Sequence, residues 1–166
     1  MRPIRLAPAL ALAALTLSAC APTASDLVGA SSGAPVPAPG YDWHLNEDAG
    51  ESSLTYGMAD TDDVPLGLSC KPGSGALQIL QTVAESHPPV IALESGGDTE
   101  TYPAMAEPSA MHDGLDLSAE ARTSDPVFLR FRKLGWLATY GPDYRTPLVA
   151  RQGSGGRIDR FFTLCG

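Results

Sequence analysis

Serine, histidine and aspartate, the side chains of acyl-transfer chemistry, all occur in this 166-residue chain, so the first question is whether a nucleophile stands near a base. Ser95 lies in "ALESGGD" ahead of two glycines. A strand-to-helix nucleophile elbow, G-x-S-x-G, needs glycine two residues before the serine, where this chain has Leu93, and a helix after it. Neither is offered. His44, His87 and His112 show no order or spacing that marks a base; His87 precedes Pro88-Pro89, His112 precedes Asp113-Gly114, and each reads as a solvated turn residue. No catalytic residue is assigned. A hydrolase using Ser95 with one histidine is the less favoured alternative, and it requires a base within hydrogen-bonding reach.

Two further clusters could hold ions. "ADTDDV" gathers Asp60, Asp62 and Asp63, oxygen donors suited to a hard cation such as Ca²⁺, but Val64 and Pro65 follow where an EF-hand loop needs a glycine and a distant glutamate. An acidic loop is the expectation, with no metal and no cofactor assigned. "RQGSGGRID" could form a nest of backbone amides ahead of a helix and hold an anion beside Arg157. It has neither phosphate-loop nor dinucleotide-fold glycine spacing, so a turn is the plainer reading.

The three cysteines divide differently. Arg2 and Arg5 form a short positive region, and Leu6 to Leu17 an apolar run of about a dozen residues, as in a secretory leader and shorter than the roughly 20 needed to cross a bilayer. Leu17-Ser18-Ala19-Cys20, which ends that run, resembles the bacterial lipobox. The resemblance implies cleavage before Cys20, acylation of its sulfur, and, with Ala21 next, delivery to an outer membrane facing the periplasm. Cys70 and Cys165 would then pair as a disulfide, closing a loop that spans most of the domain.

The organisation expected is a signal peptide at 1–19, a lipidated cysteine and tether rich in proline, alanine and serine at 20–40, and one globular domain at 41–166. The leader carries two of the eleven bases and none of the nineteen acids, so the chain from Cys20 onward has nine bases and a net charge of −10. That balance argues against nucleic acid as a partner, since phosphate binding needs surplus cations. Charge is also unevenly placed. From Cys20 to Ala121 there are sixteen acids and one base, Lys71, whereas from Arg122 onward there are eight bases and three acids. The late set is Arg122, Arg130, Arg132, Lys133, Arg145, Arg151, Arg157 and Arg160. From Arg130 onward these residues form a possible binding patch for carboxylate or phosphate; alternatively, they pair with the early acids across an interleaved fold.

The elements that must position these residues are mostly strands. Period-two alternation predicts strands near 42–45, 53–58, 66–70, 76–81, 89–94, 99–106, 115–121, 136–140 and 144–150. Turn formers such as "KPGSG", "ESGGD" and "HDG" separate them. "SDPVFLRFRKLG" predicts a short helix with Pro126 in its first turn and Gly135 as its stop. "GGRIDRFFTLCG" has helical spacing, with a strand through "RFFTLC" as the alternative. The class expected is mainly β, an antiparallel sandwich or small barrel with one or two short helices.

"LGLSCKPGSGALQI" and the terminal "RFFTLCG" resemble a group of small proteobacterial envelope proteins of unestablished function. Ser95-Gly96-Gly97 followed by Tyr102 is similar to the serine-glycine loop of membrane-bound inhibitors of c-type lysozyme, over about ten residues and with different spacing. The functional expectation is a lipid-anchored, non-catalytic envelope module binding a protein or polymer partner, with lysozyme inhibition as a variant of it.

Overall fold

Alternating apolar side chains become strands wherever one face can be buried, and here they build two sheets. The computed structural model describes residues 35–48, 50–110 and 112–166, so Cys20, the leader and the tether to residue 34 lie outside the described residues. Those described fall in one compact unit, Ala34–Gly166. Its elements are β1 (Tyr41–Glu47), β2 (Ser52–Met58), β3 (Leu66–Cys70), β4 (Ala76–Val83), β5 (Val90–Ser95), β6 (Asp98–Pro103), β7 (Met105–Pro108), β8 (Leu115–Arg122), α1 (Pro126–Leu134), β9 (Trp136–Tyr140), β10 (Arg145–Val149) and α2 (Gly155–Cys165). A six-stranded sheet runs β1-β2-β3-β4-β8-β7 and a four-stranded sheet runs β10-β9-β5-β6. Every pairing is antiparallel. The fold is a mainly β sandwich with two helices.

Register sets the core. Leu54 faces Leu68, Leu68 faces Ile79 and Ile79 faces Ala119, an apolar row across four strands. On β4, Leu77, Ile79 and Val83 are buried while Ala76, Gln78 and Leu80 are exposed, the alternation that a sheet with one wet face requires.

The stretch expected as one strand over 99–106 is two. The amide of Ala104 still donates in register to the Pro89 carbonyl of the neighbouring strand at 3.0 Å, but Pro89 has no amide to return the bond and the β5–β6 ladder ends there. The chain therefore leaves the four-stranded sheet as β6 and joins the six-stranded one as β7. At the opposite edges, the Trp43 indole donates to the Leu148 carbonyl at 3.3 Å and ties β1 to β10.

Helix α1 starts where Asp125 is still extended and Pro126 supplies the preset φ of a first turn. It stops at Gly135, whose φ of 75° is the left-handed value that glycine adopts without penalty. In α2 the helical alternative prevails over the strand. Ile158, Phe161, Phe162 and Cys165 recur at three- and four-residue spacing and are all buried. The two helices and β1 interlock through aromatic rings, with Trp43 at 4.7 Å from Phe131, and Phe162 edge-on to Phe131 at 6.0 Å.

Cys70 and Cys165 form the expected disulfide, joining the end of β3 to the end of α2 across 95 residues. The turn after β3 also closes the helix, because the amides of Gly73 and Gly75 donate to the Leu164 and Cys165 carbonyls, each at 2.8 Å. Helix-end carbonyls that would lack partners are thereby satisfied. Two core atoms among the described residues are not, the Tyr56 hydroxyl and Gln81 Oε1. Gln81 points inward between Leu66 and Leu117, and its Oε1 is fully buried without a hydrogen-bond partner.

Replacing both bridged cysteines by alanine should lower the unfolding free energy by about 4.7 kcal/mol, the chain-entropy value for a loop of this length, as read by urea titration; an unchanged midpoint would remove the staple. The substitution Gln81→Met should instead raise stability by about 1 kcal/mol, since it deletes a buried acceptor that has no donor. A lower melting temperature for that variant would show the amide to be satisfied after all.

Candidate functional site

The late cations are the natural place to look for a site, and the fold disposes of most of them. Arg130 reaches from α1 over the β5–β6 turn, its Nε donating to the Ser95 carbonyl at 2.6 Å and its Nη2 to the Asp98 carbonyl at 3.1 Å and Glu100 at 3.3 Å. Arg132 joins Asp159 at 2.6 Å, linking α1 to α2, and Arg160 grips Glu47 on β1. These last two pairs are exposed and contribute little.

Arg145 and Arg157 meet buried carboxylates. Glu94, on the outer face of the four-stranded sheet, accepts from Arg145 at 2.5 and 2.9 Å and from the Tyr140 hydroxyl at 2.5 Å, while the guanidinium stacks over Trp136 at 5.6 Å. The Arg145 hydrogen bond, reinforced by Tyr140, holds the Glu94 carboxyl below the usual range against the opposing effect of burial.

Asp42 answers the question posed by "RQGSGGRID". That segment does form an anion cradle at the start of α2, and the anion it holds is the chain's own. The Asp42 carboxylate accepts from the amide of Trp43 at 2.9 Å, the amide of Arg151 at 3.1 Å, the Ser154 hydroxyl at 2.5 Å and Arg157 at 3.1 Å. Arg157 also donates to the Trp43 carbonyl at 2.6 Å. Burial is the largest single influence and would raise the Asp42 pKa, but the hydrogen bonds from Ser154, Arg151 and Trp43, with the Arg157 charge, together outweigh it and bring it below the ordinary value. A positive helix start is thus neutralised from β1.

Ser95 is not placed for nucleophilic work. It is fully buried, and its hydroxyl donates to the Trp136 carbonyl at 2.8 Å. His87 departs from the expectation of a solvated turn residue. It is buried, with Nδ1 2.7 Å from the Pro88 carbonyl and Nε2 3.0 Å from the Tyr140 carbonyl, because the β9–β10 turn folds against its loop. His44 stays near the surface, its Nε2 3.3 Å from the Gly57 carbonyl, and His112 is exposed. In the acidic loop, Asp63 accepts a hydrogen bond from Tyr41, and no group of three potential metal ligands occurs among the described residues.

Four cations make no ion pair among the described residues: Lys71, Arg122, Lys133 and Arg151. Two of them, Lys71 and Arg122, share an open groove of about 960 Å³ on the outer face of the six-stranded sheet, at its disulfide end. Lys71 precedes the late set, so charge counting by sequence halves could not pair it with Arg122. The opposite end of that sheet gathers the entry at Tyr41 and the loops 59–65, 84–89 and 109–114, with Asp60, Asp62, Asp63, Glu85 and Asp113 and no lysine or arginine. Against protein-family models, curated protein sequences and solved structures, the chain finds no match.

The variant Asp42→Asn should lose about 2 kcal/mol, the scale for hydrogen bonds to a charged group. Because the folded carboxyl titrates below its unfolded value, ionised Asp42 contributes stability above a pH of about 4 that is lost as pH falls through the folded value. Thermal melts between pH 5 and 2 should therefore show a steeper acid loss for the parent chain than for the variant; parallel curves would contradict the Asp42 assignment.

Proposed function

We propose that this chain is a lipid-anchored, non-catalytic module of a bacterial cell envelope, held by acylated Cys20 at an outer membrane, facing the periplasm, and binding an envelope protein or polymer. The observation that carries this reading is the division of the cysteines. With Cys70 and Cys165 joined, the remaining thiol is the last residue of Leu17-Ser18-Ala19-Cys20, directly behind an apolar leader-like run. A disulfide suits an exported chain, since such bonds persist in oxidising compartments. Several acyl chains at about 0.8 kcal/mol per buried methylene would make attachment durable.

A binding role rather than a hydrolytic one is supported by Ser95, whose hydroxyl is buried and engaged, and by His87, whose two ring nitrogens face backbone carbonyls. The acidic loops around the chain's entry favour a basic partner over a nucleic acid.

Metabolic labelling with an alkyne palmitate analogue in a bacterial host tests the anchor. The parent chain should take up label and yield a mature mass starting at Cys20, whereas Cys20→Ser should remain unlabelled. Equal labelling of both, or a mature chain cut after Cys20, would overturn the reading.

A further inference from the structure

We propose that the groove between the turns at the disulfide end is a binding site for a zwitterionic oligopeptide, one that carries a free carboxylate and an ammonium group. The inference goes beyond the anchoring proposal and does not depend on acylation.

Register places the residues. Ala76 lies opposite Arg122 on β8, and continuing the β3–β4 register beyond Ser69 and Gln78 brings Lys71 opposite Ala76 on the other side. Lys71 and Arg122 therefore flank one small side chain from strands about 10 Å apart, twice the strand spacing. Two like charges cannot pair with each other, and the gap between them is wide enough for a carboxylate. Neither lies within ion-pair distance of a carboxylate among the described residues, although the chain has nineteen acids to eleven bases. In so acidic a protein, two adjacent uncommitted cations are poised for an external anion.

The next row supplies the rest. Ser69, Gln78 and Glu120 stand side by side on β3, β4 and β8. Ser69 is only 8% exposed, yet it lines the groove and its hydroxyl makes no hydrogen bond among the described residues. That hydroxyl is open to the groove and can both donate to and accept from a bound ligand. The Gln78 amide beside it offers both donor and acceptor to a peptide unit. Three carboxylates border the groove: Asp125, which accepts from the Arg122 amide at 3.0 Å, and Glu51 and Glu120, which make no ion pair among the described residues; together they suit an ammonium and disfavour a simple anion. A guanidinium matches a carboxylate in a bidentate fork, so Arg122 is the stronger of the two anion contacts.

Isothermal titration of the full chain in mild detergent tests the proposal with four probes: Ala-Lys-Ala-Ala with free ends, the same peptide length as acetyl-Ala-Gln-Ala-Ala-amide, maltotetraose, and sodium sulfate. The zwitterionic peptide should bind, and the capped peptide, which lacks the carboxylate and both ammonium groups, should bind at least about tenfold more weakly, since even one lost charge-assisted contact is worth that ratio. The double variant Lys71→Met/Arg122→Gln should lose about tenfold or more in affinity while keeping the parent melting temperature. Lys133→Gln, on α1 and outside the groove, should leave affinity unchanged. No heat with the zwitterionic peptide, equal binding of the capped peptide, binding confined to maltotetraose or to sulfate, or an equal loss with Lys133→Gln would each overturn it.

Discussion

Charge is the constraint that shapes this domain. A chain with this excess of carboxylates repels itself when compact, and the remedy lies in where the bases are placed. Asp42, Glu47, Glu94, Asp98 and Glu100 come from the first part of the chain, and their partners Arg157, Arg160, Arg145 and Arg130 come from the last third. Among the described residues, only the pair of Arg132 with Asp159 stays within the late segment. The asymmetry along the sequence becomes a set of cross-links in space, because α1, β9, β10 and α2 fold back onto strands made earlier.

The last helix shows how one element depends on several ties. Its start is held by Asp42 from β1, its end by the disulfide to β3 and by the amides of the β3–β4 turn. Between these ends, Ile158, Phe161 and Phe162 fill the core against Trp43 and Phe131. Its middle is apolar and its ends are polar and fixed, so α2 cannot slide along the sheet without breaking buried hydrogen bonds. All of these ties are long-range in sequence, and non-local contacts of this kind are the ones that slow folding.

The strands were legible because alternation is a local property; β3 and β9 match their expected bounds residue for residue. The break at Ala104 was not, since Thr99 to Ala106 alternates acceptably and only the three-dimensional need to change sheets interrupts it. The nest before α2 was readable as an anion cradle, but its occupant lies more than a hundred residues away, beyond any spacing rule. His87 misled for a similar reason: a proline-flanked histidine reads as a loop residue, and only the packing of a distant turn buries it. The candidate site was the least legible, because its cations, Lys71 and Arg122, belong to opposite charge halves of the sequence and meet only through the β3–β4–β8 register.

With most arginines committed, what remains of the charge is arranged by poles. The loops 59–65, 84–89 and 109–114 carry acids and no lysine or arginine at one end of the six-stranded sheet, where Arg151 and Arg157 stand beside Asp42, while Lys71 and Arg122 lie at the other. Strand β1 begins at Tyr41, beside these loops. An anionic surface approached from that end is repelled, and the repulsion extends over roughly a Debye length, about 8 Å in physiological salt. The mixed-charge groove lies at the far end, beyond that screening length. The two ends therefore select for different chemistry, and a ligand bearing both signs is favoured only where both signs are left unpaired.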